Sequence, residues 1–298
     1  QPSFVVTATG KLLVFCQGRL KNGDDNDPKV ILLNTSSDYG KTWDGVRVLS
    51  APMNHFAISP YATATLSGER LWFLTCVGLT VTKAYYDQDV SLMKEKTGID
   101  MAAVGADKAA VLLRYYSDDD GSSWHVQVLT DEKTPLYHKY NGYTPVFINT
   151  IGQVHKMTEG PHNGRYIIAC PVYAVADNEE KTSNFRNHPC VGSGIIYSDD
   201  GGETWRMDGF IADFLGNEAS AVSINKGHAM LMIRRYMDPR QLDENPAMIP
   251  LIPNIGQRIA HTSMDGGKTW SEPFLIDVSH VRCHGTLSKI NNRLYFSI

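Results

Sequence analysis

Short apolar runs broken by polar turns make up most of this chain, and long stretches with a helical repeat are missing. The runs come in pairs: KVILLNT with VRVL, AAVLLRYY with HVQVLT, SGIIYS with RMDGFIA, and RIAHTS with EPFLI. Short runs of this kind, separated by turn residues, predict β-hairpins. Each pair flanks one copy of the frame Ser-x-Asp-x-Gly-x-Thr/Ser-Trp, as SSDYGKTW from Ser36, SDDDGSSW from Ser117, SDDGGETW from Ser198 and SMDGGKTW from Ser263. A second element, a small or polar turn followed by an apolar strand, recurs as GKLLVFCQGR, GERLWFLTCVG, GRYIIACPVY, GHAMLMIRRY and NRLYFSI. Five such strands alternating with four hairpins form an internal repeat, which fits an all-β propeller better than a sandwich. Helix is expected to be minor, and the most helix-like stretch, residues 87–103, reads as an insertion.

The frame reads as scaffold. A glycine such as Gly202 permits the positive φ of a tight turn, and the Asp200 carboxylate can accept hydrogen bonds from backbone N–H groups of the same turn. Trp205 then covers the hairpin with a large apolar surface. Four of the five tryptophans close a frame, so the device belongs to every repeat, whereas a catalytic site is needed once. A calcium loop is the rival reading for SDDDGSSW and for GDDNDP, but neither carries the full ligand series ending in a bidentate Glu.

Composition narrows the class. With a net charge of −4 over 298 residues and no Lys/Arg-rich block, the chain has no field for a polyanion, and a nucleic-acid partner is not expected. No apolar run approaches the roughly 20 residues of a membrane span, and QPSFVVTATG lacks the basic and apolar regions of a signal peptide. The five cysteines, Cys16, Cys76, Cys170, Cys190 and Cys283, are odd in number and without CxxC spacing. They read as buried thiols rather than a disulfide framework or a zinc site.

With the frames set aside, unusual residues stand at the ends of the recurring strands. Arg19 ends VFCQGR, with Asp24 five positions on, and Glu218 in GNEASAV precedes a strand that ends in Arg234 and Arg235. Strand ends around a propeller axis converge on one face, so distant positions of this kind can share a pocket.

These residues carry a resemblance. KLLVFCQGRLKNGDD, GNEASAV, MLMIRRY and the four Asp boxes, in this order and over nearly the whole chain, resemble the sialidase (neuraminidase) family, whose Asp boxes decorate a six-bladed β-propeller. The resemblance implies a retaining exo-α-sialidase that removes terminal sialic acid from glycoconjugates, needs no cofactor or metal, and uses a tyrosine nucleophile. On that alignment Asp24 is the general acid/base, Glu218 polarises the tyrosine hydroxyl, and Arg19 and Arg234 bind the substrate. Arg234 matches a carboxylate-binding arginine, and Arg235 replaces it if the strand shifts by one. Ile58 matches an N-acetyl-pocket position, Tyr173 a tyrosine near the glycerol chain or aglycone, and His284 a polar substrate contact. Their plain alternatives are a core residue, a packed strand end and a satisfied loop histidine. Sialylated glycans are the implied partners, and a secreted, periplasmic or cell-surface location follows from them.

The pattern is departed from in two ways. The family's first and third carboxylate-binding arginines and its nucleophilic tyrosine fall outside residues 1–298, so the chain reads as a single propeller domain of about four and a half blades, cut at both ends. Gln17 stands where the family has Glu, which leaves open another nonulosonic or ulosonic acid as substrate. Two other classes remain, a non-catalytic Asp-box propeller that binds glycans or proteins and an Asp-box hydrolase of neutral polysaccharide; neither needs the acids and arginines together.

Overall fold

The computed structural model describes residues 2–65, 68–87, 89–104, 109–129, 134, 136, 140, 142–149, 151–176, 190–212, 216–235, 258–276 and 284–297. Among them the strands form antiparallel sheets in sequence order. The first holds β1 (Ser3–Val6), β2 (Leu12–Arg19), β3 (Lys29–Ser36) and β4 (Arg47–Val48). The second holds β5 (Asn54–Thr65), β6 (Gly68–Gly78), β7 (Ala110–Ser117) and β8 (His125–Leu129). In the third, β9 (Tyr143–Ile148) and β10 (Ile151–Lys156) both pair with β11 (Tyr166–Ala176), followed by β12 (Cys190–Ser198) and β13 (Phe210–Ala212). The fourth holds β14 (Gly216–Ser223), β15 (Ala229–Arg235), β16 (Arg258–Ser263) and β17 (Phe274–Ile276), and a hairpin of β18 (Thr286–Ile290) and β19 (Arg293–Ser297) closes the series. The first strands touch in succession, β1 to β5, β5 to β10, β10 to β14 and β14 to β18. That is the radial arrangement of a β-propeller, with four blades and the opening hairpin of a fifth among the described residues.

The apolar layers lie between blades, which explains the unbroken apolar runs of the middle strands. In β6, Leu71 and Phe73 face the first blade with Leu13 and Phe15, while Trp72, Leu74 and Cys76 face the third with Ile168, Cys170 and Trp205. A strand buried on both faces has no polar side to alternate with. Ile167 and Ala169 of β11 continue the pattern towards Leu231 and Ile233 of the fourth blade. Of the cysteines, Cys76 and Cys170 are buried, whereas Cys16 and Cys190 are only partly so, which corrects the expectation for those two; Cys283 lies outside the described residues.

The Asp boxes form the turns after β3, β7, β12 and β16, and their bonding repeats. Ser198 Oγ donates to Asp200 at 2.8 Å and accepts from Gly202 N at 2.8 Å, while Thr204 N and Oγ1 donate to the same carboxylate at 2.9 and 2.6 Å. Asp38, Asp119 and Asp265 are held in the same way by Thr42, Ser123 and Thr269. Gly202 has φ of +90°, and the position before it is also left-handed in every box, occupied by Tyr39, Asp120, Gly201 and Gly266. Each turn after the first leans on the preceding blade. Arg47 donates to Gly121 O at 2.6 Å, a Cβ on Gly202 would stand 3.1 Å from the Trp72 ring, and Arg165 donates to Gly266 O at 3.1 Å.

The helical insertion starts earlier than its pattern suggests. Residues 90–97 and 101–104 form α2 (Val90–Thr97) and α3 (Met101–Val104), but α1 (Leu79–Tyr85) precedes them directly after β6. Its Val- and Thr-containing run continues the strand pattern, and no side chain caps its N-terminus, so neither helix signal is present in the sequence. Packing decides instead: Leu79, Met93, Ile99 and Met101 join the apolar layer between the first two blades.

Candidate active site

Register places the candidate residues at the end of the blades opposite the Asp boxes. In the first blade Leu12 pairs with Ser36 of the box, whereas Arg19 pairs with Lys29 at the far end. Tyr166 pairs with Ser198 and Tyr173 with Cys190; Ala229 pairs with Ser263 and Arg234 with Arg258. Scaffold turns and candidate chemistry therefore occupy opposite faces.

At the candidate end the first strands of the second and fourth blades, and β9 of the third, each carry one extra residue. Phe56 and Ala57 together oppose Cys76, Val146 is inserted in β9 beside Tyr173, and Asn217 and Glu218 together oppose Arg234. Such bulges bend a strand and re-aim the side chains around them. Ile58 follows the first bulge, Tyr173 faces the second, and Glu218 lies in the third across from Arg234, so four of the seven candidates sit at one recurrent irregularity. Arg235 pairs instead with Gly216, beyond the bulge.

The side chains differ in surroundings. Ile58 is 3% exposed and packs in the apolar layer between the first two blades, and Tyr173 lies partly buried against the next layer. Glu218 is half-buried, as is His284. His284 Nε2 stands 3.7 Å from where a Cβ on Gly152 of β10 would be, which is ordinary van der Waals contact and sets the imidazole beside that strand. Arg234 is placed by its backbone.

Asp24 and Arg19 share a loop of the first blade. Leu20 N donates to Pro28 O at 3.1 Å and closes the loop, and Arg19 donates to Gly23 O and to the Asp25 carboxylate. Within it Asp24 N donates to the Asp27 carboxylate at 3.1 Å and Asn26 N to Asp24 Oδ1 at 2.8 Å. The acids of GDDNDP are thus engaged in holding the loop's shape.

Sequence reasoning missed the corner beneath this loop. Lys29 is 2% exposed and donates to Asp25 O at 2.6 Å and Asn54 Oδ1 at 2.7 Å, while His55 is fully buried beside them. Burial, reinforced by the charge of Lys29, lowers the His55 pKa to about 3 and keeps the ring neutral. The available signal was a lysine opening a strand in DPKVILL and the polar pair Asn54–His55 after Ala51-Pro52-Met53, but lysines are nearly always exposed. The same corner accounts for Gln17: its Nε2 donates to His55 O at 3.1 Å, a bond that an ionised Glu has no proton to make.

Comparisons with known proteins match the repeat and the fold. The BNR/Asp-box repeat family matches residues 196–207. The sialidase of Micromonospora viridifaciens is 26% identical over 233 residues, covering 78% of this chain and 32% of that protein. The sialidase of Paraclostridium sordellii is 23% identical over 273 residues, covering 90% and 56%. The chain thus spans about a third and a little over half of these relatives. Among solved structures, Trypanosoma rangeli sialidase in complex with sialic acid superimposes with a TM-score of 0.60 at 16% identity, over 99% of this chain and 42% of that one. The chain resembles sialidases in sequence, and the structural match shows the shared propeller fold.

Proposed function

We propose that residues 1–298 belong to one propeller domain of a retaining exo-α-sialidase acting on terminal sialic acids of glycoconjugates. The observation that carries the reading is Glu218 and Arg234 facing each other across a bulge, at the end of the blades where Arg19 and Asp24 also lie. An acid pair with arginines is what cleavage of an acidic sugar requires. Arg234 supplies a planar pair of donors to the substrate carboxylate, which a point charge does not match. Asp24 protonates the leaving glycosidic oxygen and then activates water. Glu218 draws the proton from the tyrosine nucleophile, whose phenol, of pKa ~10, is otherwise protonated at neutral pH. Arg19, Tyr173 and His284 complete the substrate pocket, and Ile58, buried in the layer between blades, backs it. No cofactor enters the chemistry, and a secreted, periplasmic or cell-surface location suits the substrate; no helix among the described residues is long and apolar enough to cross a membrane.

The test is release of 4-methylumbelliferone from its α-N-acetylneuraminic acid glycoside by the whole protein, with sialyllactose as the second substrate. Wild type should cleave both. Asp24→Ala should lose about 10²- to 10⁴-fold on sialyllactose and much less on the aryl glycoside, whose leaving group needs little proton assistance. Equal losses on both would remove Asp24 from the acid role. A folded wild type that cleaves neither would refute the sialidase reading, and turnover of another ulosonic acid glycoside would redirect it.

A further inference from the structure

Lys29, which the proposed mechanism does not use, joins the loop bearing Asp24 to the neighbouring blade. Its backbone is bonded both ways to Met53, N to O at 2.7 Å and O to N at 2.9 Å, and its ammonium bridges Asp25 O and Asn54 Oδ1. Its Nζ lies over the ring of Phe56, 5.3 Å from the centre, and Phe56 belongs to the bulge in β5. A second strut runs parallel to it, from Gln17 to His55 O. On the far side, Thr82 of α1 donates nothing to the loop but receives Asn54 N at 2.9 Å, which anchors Lys29's partner in turn.

Keeping an ammonium buried is unfavourable unless its donors are matched. Burial lowers the Lys29 pKa to about 8, the nearby charge of Arg19 acts in the same direction, and Asp25, Asp27 and Asp24 oppose it. A surface lysine would serve equally well for solubility, so the cost points to a local task. What this lysine holds is the one loop of the first blade that carries a proposed catalytic carboxyl.

We propose that Lys29 is a positioning residue for Asp24, fixing the acid loop against the start of β5 so that the carboxyl meets the leaving glycosidic oxygen. The proposal rests on Asp24 being the acid/base. Proton transfer to a leaving group requires hydrogen-bond reach, and a displacement of about 1 Å can cost about 10²-fold.

Lys29→Met keeps the stem and removes the donors. In the whole protein, kcat on sialyllactose should fall about 10- to 100-fold, with less than about 3-fold change on the 4-methylumbelliferyl glycoside and with KM little altered. A purely structural lysine would instead lower both rates alike, or lower only the melting temperature. Equal losses on the two substrates, or no loss, overturn the proposal. Because an unmatched Asn54 can impair folding, Asn54→Ser serves as the second variant: it leaves Lys29 in place, withdraws its anchor, and should give a smaller loss with the same dependence on leaving group. Asp24→Ala is measured alongside. If Asp24→Ala spares sialyllactose hydrolysis, the acid assignment has failed and the positioning role with it. If Asp24→Ala is impaired and Lys29→Met is not, only the positioning role is lost.

Discussion

Replacing Asp200 with alanine removes the acceptor around which the third Asp box is wound. Its carboxylate takes hydrogen bonds from Ser198 Oγ at 2.8 Å, Glu203 N at 3.1 Å, Thr204 N at 2.9 Å and Thr204 Oγ1 at 2.6 Å. A typical hydrogen bond contributes about 0.5–1.5 kcal/mol net, and the three bonds to Glu203 and Thr204 belong near the low end because water reaches them. The Ser198 bond belongs near the high end, since that residue is 1% exposed. The expected loss is about 2–3 kcal/mol, or a melting temperature lower by about 5 °C for a chain of this size. Acid supplies the control. Burial raises the Asp200 pKa, the bonds from Thr204, Ser198 and Glu203 outweigh it, and the net shift is downward. A carboxyl depressed in the folded state stabilises above its unfolded pKa of about 4 and loses that contribution as pH falls through the folded value. Urea unfolding of both proteins at pH 7 and pH 2.5 should therefore show a gap that narrows in acid. A gap that is absent at pH 7, or equally wide at pH 2.5, would refute the view that the ionised carboxylate organises the turn.

Three further expectations follow from the same geometry. Gly202→Ala meets both a φ of +90° and the Trp72 ring at 3.1 Å, whereas Gly201→Ala has a φ of +77° and open space; the former should lose about 2–3 kcal/mol and the latter about 1 by urea titration. Arg165→Lys gives up the paired bonds to Asp199 at 2.8 Å, the bond to Gly266 O and the stacking 3.8 Å from the Tyr197 ring. It should destabilise by about 1–3 kcal/mol in urea, and a neutral result would mean that this arginine does not couple the third and fourth blades. Burial lowers the pKa of His55 to about 3 and of His155 to about 4. The unfolded chain therefore binds protons first, and melting temperature should fall between pH 6.5 and 4, with His155→Gln flattening that slope.

The sequence discloses what is local and hides what is a matter of register. The Asp boxes were legible because Ser198, Asp200, Gly202 and Thr204 bond within one turn. The propeller was legible because such a turn recurs. The bulges at Phe56–Ala57 and Asn217–Glu218 were not, since an extra residue is defined only by the partner strand. Glu218 and Arg234 could be named from the family spacing, but their facing positions could not. Lys29 was hidden for another reason: its residue type belongs at the surface, and its burial becomes tolerable through partners far along the chain or set by the loop's fold, Asn54 of the neighbouring blade and Asp25 O. The start of α1 was lost because its residues suit a strand and tertiary packing overrode them.

The recurrent bulges also set a price on repair. Deleting one residue, Asn217 for example, would let β14 pair with β15 without interruption from Gly216 to Ser223, and a regular ladder is the more stable object. The same deletion would also take out the local bend that aims Glu218 across from Arg234, because a bulge kinks and twists the strand that carries it. Where the candidate chemistry depends on that bend, mending the strand works against it. This irregular stretch is therefore where gains in stability and loss of activity should arrive in a single mutational step.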